Sequence, residues 1–220
     1  MTLQKLIEGV EVSATAGPLG VQIAGVCYDS REARAGSLFA ALPGEHVDGH
    51  EFIPRALAAG AVAVLSERPP AAGVRATWVQ GVNIRRAVAQ VAATFYGHPS
   101  RQLKLIGVTG TNGKTTTSYL LESILRAAGA RAGLFGTVEY HTATSVIPAR
   151  QTTPEAMDLQ HFFAELRESG AAWVVMEVSS HALALDRVYG CQFEAAVFTN
   201  LARDHLDFHL TFESYFEAKK

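Results

Sequence analysis

Lys114, Thr115 and Thr116 follow glycines at 107, 110 and 113 in the string Leu105-Ile106-Gly107-Val108-Thr109-Gly110-Thr111-Asn112-Gly113-Lys114-Thr115-Thr116-Thr117. These residue types at this spacing suit the binding of a polyphosphate. Glycines let successive N–H groups turn inward and a helix that starts at the lysine adds partial positive charge. The Lys114 ammonium then reaches terminal phosphates, and the Thr115 hydroxyl can hold Mg²⁺. The general phosphate-loop pattern is matched imperfectly, because Val108 stands five places before Gly113. A ligand-free glycine turn has no need of Lys-Thr-Thr at its exit, so the expected ligand is a nucleoside triphosphate.

Three further groups could do chemistry. Glu177 closes the apolar run Trp173-Val174-Val175-Met176-Glu177-Val178, where an unpaired carboxylate is costly. It calls for a cation, either Mg²⁺ or a neighbouring arginine. Ser179-Ser180-His181 lacks the Gly-x-Ser-x-Gly elbow of a serine hydrolase. Residues 199–209 pack Thr199, Asn200, Arg203, Asp204, His205, Asp207 and His209 behind Val197 and Phe198, at a strand end, with His209 read as a structural loop histidine. Finally, a helix capped by Thr211 puts Phe212, Tyr215, Phe216 and Lys219 on one face, and Lys220 on the side of Glu213 and Glu217. A lysine on a buried aromatic face is either deprotonated or chemically changed, or else its amine reaches solvent past Phe216. The residues alone favour the second.

The elements that must place these groups alternate between strand and helix. Strands are expected at 21–28, 37–42, 61–65 and 76–79, with a helix around 53–59 stopped by Gly60 and another capped by Asn83 with Ile84, Ala87, Val88, Val91, Ala92 and Phe95 on its core face. The segment 96–100 holds glycine and proline between two patterned blocks and reads as a linker, dividing the chain into 1–98 and 99–220. Beyond the loop come a helix over 115–128, a strand over 131–136, an irregular polar stretch over 137–150, and a helix capped by Thr153 with Pro154 in its first turn. Buried strands follow at 172–178 and 195–199. Both halves are α/β, the second a mostly parallel sheet whose ligands gather beyond the carboxyl ends of its strands.

Composition excludes several classes. With 48% hydrophobic and 18% charged residues and a net charge of −2, the chain of 220 residues has no general attraction for nucleic acid or membrane. No run of 18 apolar residues is present. Cys27 and Cys191 lie far apart in apolar settings and read as free thiols of a cytoplasmic protein, and His46 and His50 as loop donors before a metal pair. Asp29-Ser30-Arg31 reads equally as a turn with a solvated arginine or as a binding triplet.

The string Gly-Thr-Asn-Gly-Lys-Thr-Thr at 110–116 is similar to the ATP loop of the Mur ligases and of the folylpolyglutamate synthases, which join an amino acid to a carboxylate through an acyl phosphate. Tyr28-Asp29-Ser30-Arg31, Gly36-Ser37-Leu38-Phe39 and Gly44-Glu45-His46-Val47-Asp48-Gly49 resemble the N-terminal, uridine-diphosphate-holding domain of Mur ligases acting on the dipeptide and tripeptide precursors. Met176-Glu177-Val178-Ser179-Ser180-His181-Ala182-Leu183, with Arg187, resembles the central domain of the branch that adds the third peptide residue.

This resemblance implies site roles. Ser30, Glu45, His46 and Val47 would hold the sugar nucleotide; Gly110, Thr111, Asn112, Gly113, Lys114, Thr115 and Thr116 would hold ATP; Gln151, Thr152, Thr153, Ser179 and Arg187 would hold the dipeptide. Mg²⁺ would sit on Thr115, Glu177, His205 and Lys219, the last carboxylated by CO₂ to a carbamate, and Lys114, Glu177, His205 and Lys219 would be catalytic. The implied substrates are a UDP-muramoyl dipeptide and an incoming amino acid, most often meso-diaminopimelate, handled by a cytoplasmic monomer. In the family the central domain continues past the position of Lys220 and a third domain follows, so the chain is expected to be a fragment that binds nucleotides and does not ligate. A folylpolyglutamate synthase lacks the uridine domain, and a non-enzymatic nucleotide module has no reason to combine Glu177, His205 and Lys219.

Overall fold

A computed structural model describes residues 1–44 and 47–220. It divides into two compact units, Met1–Phe95 and Tyr96–Lys220.

The first unit is a five-stranded sheet. Its elements are α1 (Leu3–Leu6), β1 (Val12–Ala16), β2 (Gly25–Cys27), β3 (Ser37–Ala40), α2 (Ile53–Ala58), β4 (Ala63–Ser66), β5 (Thr77–Gly81) and α3 (Ile84–Phe95). The order is β1-β5-β4-β3-β2, parallel except for β1, with Phe39 opposite Val64 and Val64 opposite Trp78. Those three side chains, with Cys27, Ile53 and Ala56, form the core on one face. The helices end and begin as their sequences dictate: Gly60 takes φ +102° after α2, and the Asn83 side chain accepts from Arg86 N at 3.1 Å at the start of α3. The expected strand over 21–28 is shorter. Residues 22–24 bond outside the sheet instead, through a bridge of Gln22 to Thr2, Ile23 N to Met1 O and Ala24 N to Gly36 O.

The second unit comprises β6 (Lys104–Thr109), α4 (Lys114–Ala127), β7 (Ala132–Phe135), β8 (Glu139–His141), β9 (Val146–Pro148), α5 (Ala156–Glu168), β10 (Trp173–Glu177), α6 (Ser180–Ala184), β11 (Phe193–Phe198), α7 (Leu206–His209) and α8 (Phe212–Lys219). The sheet order is β11-β6-β10-β7-β8-β9, with the first four strands parallel. Alternation along each strand splits the core into two layers. Ile106, Val108, Leu134 and Val175 face Tyr119, Leu121 and Leu125 of α4; Leu105, Phe135, Val174 and Met176 pack with Leu159, Phe163 and Leu166 of α5.

Four expectations need correction here. Residues 137–150 are not irregular but contain the antiparallel hairpin β8–β9, with Tyr140 buried against Phe135 and His141 bonded to Glu122 (2.6 Å) and Glu139 (2.9 Å). Its polar residues Glu139 and His141 pair with each other and with Tyr119 and Glu122 of α4, which hides the strand in the composition. α5 starts at Ala156 with Glu155 at the N-cap, because the Thr153 hydroxyl is engaged elsewhere. β11 is not buried: it lies at the sheet edge, Glu194, Ala195 and Ala196 are exposed and Phe198 is 44% exposed. On α8, Tyr215 and Lys219 are buried as expected but Phe216 is exposed.

Candidate active site

The loop after β6 has a shape only glycine permits. Gly110 takes φ +134°, and a Cβ there would lie 2.0 Å from Thr199 Oγ1; Gly113, the N-cap of α4, takes φ +83°. The end of β11 ties one limb down. Thr111 N donates to Asn200 O and Asn112 N to Asn200 Oδ1, while Thr199 Oγ1 and Asn200 Nδ2 donate to Asn112 O. The N–H groups left for an anion are those at the first turn of α4, which have no acceptor within the helix. Lys114 arches back over the loop and donates to Gly110 O (2.9 Å) and Thr111 O (2.8 Å).

Lys219 arrives at the same place from the far end of the unit. Thr211 caps α8 by accepting from Ser214 N, and about two turns later the Lys219 side chain is buried, only 7% exposed. Its Nζ donates to Gly110 O at 2.9 Å, near Thr109 Oγ1 at 3.4 Å and 4.9 Å from the Tyr215 ring centroid. Two amines therefore share one carbonyl. Burial, then the neighbouring Lys114 charge, push the Lys219 pKa down to about 8, with Asp204 opposing. At pH 7 about a tenth of such an amine is unprotonated and nucleophilic. The amine does not snorkel past Phe216.

Glu177 ends β10, one strand from the loop, and is 1% exposed. Its Oε1 accepts from Thr137 N (2.9 Å) and its Oε2 from Thr137 Oγ1 (3.1 Å). Gly136 is required above it, since a Cβ would stand 2.5 Å from Oε1. Among the described residues no arginine pairs with it. His205 has φ 52° at the start of α7, with its ring 4.8 Å from that of His181 and 6.2 Å from that of Tyr215. His209 is buried and burial lowers its pKa. Among the described residues no three His, Cys, Asp or Glu side chains form a ready metal cage. The hydroxyl of Thr115 and the carboxylate of Glu177 are hard oxygen donors that suit Mg²⁺, an ion that takes few protein ligands and completes its shell with phosphate and water. Lys219 as an amine is a donor and could join them only as a carbamate.

Beside Glu177, Thr153 Oγ1 donates to Glu177 O (2.9 Å) and accepts from Ser179 N (3.1 Å), and Ser179 Oγ caps α6. Arg187 Nη1 donates to Thr153 O and Nη2 pairs with Glu155 Oε1 at 2.7 Å. Thr152 Oγ1 lies 3.2 Å from Thr137 Oγ1, and Gln151 O accepts from the Tyr140 hydroxyl.

In the first unit, Ser30 is 6% exposed and lines a cavity of about 400 Å³ with Tyr28, Asp29, Arg31, Val47, Gly49, Phe52 and Arg55. Arg31 pairs with Asp29 and holds that carboxyl below its usual range. Asp48, hydrogen-bonded by His50 N and then by the His50 ring and Arg68, is held down at about 2, and His50 Nε2 lies 2.9 Å from Ser66 Oγ. Both ring nitrogens of His50 are thus taken.

Residues 108–220 match the family profile described as Mur ligase middle domain, and residues 22–96 match that described as Mur ligase family, catalytic domain. The chain belongs to the Mur ligase family. A UDP-N-acetylmuramoyl-L-alanyl-D-glutamate--2,6-diaminopimelate ligase of Solibacter usitatus is 50% identical to it over 222 residues, covering all of this chain and 45% of that protein. A solved structure of a ligase of the same name superimposes with a TM-score of 0.79 at 32% identity, over 100% of this chain and 44% of that one. MurF ligase from Thermotoga maritima in complex with ADP gives 0.60 at 27% identity, over 90% and 42%. The chain spans less than half the length of the curated relatives it matches.

Within this Mur ligase chain the structure brings Lys114 and Lys219 to one atom, and groups Thr152, Thr153, Ser179 and Arg187 around the end of β10. Ser30 and Val47 share a cavity; Glu45 and His46 fall outside the described residues. Sequence reasoning passed over Thr137, Phe52 and Arg55. Thr137 directly follows a strand end and a glycine, and that position was its only signal.

Proposed function

We propose that this chain supplies the UDP-sugar-binding and ATP-binding parts of a cytoplasmic ligase of peptidoglycan-precursor synthesis. The ligase adds meso-diaminopimelate to UDP-N-acetylmuramoyl-L-alanyl-D-glutamate, acting as a monomer. The observation that carries this is the buried amine of Lys219 on Gly110 O, beside Lys114 Nζ on the same oxygen, both at 2.9 Å. A phosphate loop alone serves many nucleotide enzymes, whereas a lysine held there by a separate helix is the place for a carbamate. The names of the relatives at about half identity supply the substrate, and the ADP held by the Thermotoga enzyme supports the nucleotide.

In this scheme the D-glutamate carboxylate attacks the γ-phosphate of ATP, releasing ADP and forming an acyl phosphate; the amine of the incoming residue then attacks the acyl carbon, forming the amide and releasing inorganic phosphate and a proton. Lys114 leaves its two carbonyls and offsets charge on the transferring phosphoryl group. The first turn of α4 donates N–H groups to the phosphates. Thr137 holds the Glu177 carboxylate in one orientation, and Thr153, Ser179 and Arg187 form the floor for the dipeptide. Thr115, Glu177, His205 and a carboxylated Lys219 would hold Mg²⁺, which supplies charge neutralisation on the phosphates when bound. In the first unit Ser30, Val47, Phe52 and Arg55 receive the uridine diphosphate.

Thermal shift of the 220-residue chain separates this from a folylpolyglutamate synthase. The UDP-muramoyl dipeptide should raise the melting temperature and a folate should not; the reverse pattern sinks the proposal. In a complete ligase, phosphate release should require the dipeptide precursor and vanish with Lys114→Ala. Retained turnover in that variant contradicts the scheme.

A further inference from the structure

Tyr215 belongs to none of the roles above, yet it is fully buried and its hydroxyl has one hydrogen-bond partner among the described residues, Thr111 Oγ1 at 3.0 Å. Thr111 Oγ1 also lies 3.2 Å from Ala202 O and accepts from Ala202 N at 2.9 Å. A hydroxyl has one proton and two acceptor sites. With its proton on Ala202 O, Thr111 accepts from Ala202 N–H and from the Tyr215 O–H, and all three contacts are satisfied. The phenol is thereby the donor.

The neighbouring contact shows what this bond is for. Lys219, one helical turn beyond Tyr215, donates to Gly110 O, so residues i and i+4 of α8 grip two consecutive loop residues, Gly110 and Thr111. Chemistry at the Lys219 nitrogen requires the amine to leave Gly110 O. Of the two contacts, only the one from Tyr215 then remains. The Tyr215 ring also sits 4.9 Å beneath Lys219 Nζ and 5.4 Å from the His209 ring, so its place is set from several sides.

Resting on the phosphate-loop reading above, we propose that Tyr215 is a positioning residue for nucleotide, its hydroxyl fixing Thr111 so that the loop keeps its binding shape when Lys219 disengages. Tyr215→Phe keeps the ring under Lys219 and removes only the donor. One hydrogen bond of this kind corresponds to about a five- to tenfold change in affinity.

Isothermal titration of Mg·ADP into the 220-residue chain is the test. Tyr215→Phe should weaken binding about five- to tenfold, Thr111→Val should weaken it at least as much, and the double variant should bind no worse than Thr111→Val alone. Thr111→Ser, which keeps the hydroxyl, should bind more tightly than Thr111→Val. A tyrosine with a purely structural role would lower the unfolding midpoint and leave the affinity of the folded protein alone. Binding by Tyr215→Phe within twofold of the unchanged chain, or effects that multiply in the double variant, overturns the proposal. If Tyr215→Phe does not fold, equal binding by Thr111→Ser and Thr111→Val overturns it, and weaker binding by Thr111→Val than by Thr111→Ser supports it. Failure of the unchanged chain to bind Mg·ADP refutes the loop reading itself and this proposal with it.

Discussion

Replacing Lys219 with methionine should stabilise the second unit at pH 6.5 and stabilise it much less at pH 9.5. The unfolded chain carries this lysine near its ordinary value of 10.5, the folded one near 8. Because the folded value is the lower, the unfolded state holds more protons between those limits, and wild-type stability rises with pH across that window and is level below it. The gap corresponds to a penalty of about 3 kcal/mol at pH 6.5, of which about 1.5 kcal/mol is left at pH 9.5. Methionine fills a similar volume and removes the penalty. It also removes the hydrogen bond to Gly110 O, which offsets about 1 kcal/mol at either pH. The expected gain is therefore about 2 kcal/mol at pH 6.5 and about 0.5 kcal/mol at pH 9.5. Urea unfolding in CO₂-stripped buffer reads it, with Trp173 of β10 as the reporter in a Trp78→Phe background. A gap between Lys219→Met and wild type that is the same at both pH values, or a less stable variant at pH 6.5, refutes the reasoning.

Three other outcomes are expected. Gly110→Ala forces a Cβ to within 2.0 Å of Thr199 Oγ1 at a positive φ; it should cost about 3 kcal/mol in denaturant unfolding and abolish Mg·ADP binding in titration. Glu122, whose buried carboxylate lies between His141 and Arg126 at 2.6 Å from each, should cost about 3 kcal/mol as Glu122→Ala, whereas Arg126→Ala, an exposed partner, should cost under about 1 kcal/mol by the same assay. Thr137→Val keeps the N–H to Glu177 Oε1 and loses the hydroxyl to Oε2, so the Mg²⁺ concentration for half-maximal ADP binding should rise about tenfold, read by titrating Mg²⁺ at fixed nucleotide.

What the sequence made legible were features with local causes. The glycine pattern, the Asn83 and Thr211 caps, the three-four spacing of α3 and the Tyr215–Lys219 pair of α8 each involve residues within a turn or two of one another, and the structure has them where expected, Phe216 of α8 excepted. The direction of Lys219 followed from the same spacing. Long-range partners were not legible. Thr153 looks like a cap, but its hydroxyl is engaged by Glu177 O and Ser179 N, more than 20 residues away. Hairpin β8–β9 hides because its polar side chains pair with α4 across the sheet. β11 is apolar enough to read as buried, and only the strand order puts it at the edge. Thr137 holds both oxygens of Glu177, a relation set by two strand ends 40 residues apart.

The two backbone carbonyls under Lys114 bear on selectivity among phosphates. To reach a ligand, that side chain exchanges contacts with Gly110 O and Thr111 O for contacts with anionic oxygens. A lone orthophosphate competes against both carbonyls with a few oxygens and no anchor elsewhere. In the nucleotide-binding role proposed above, a diphosphate or triphosphate would meet the start of α4 and the ammonium together, so chain length of the phosphate, more than its charge, would decide which anion the loop retains.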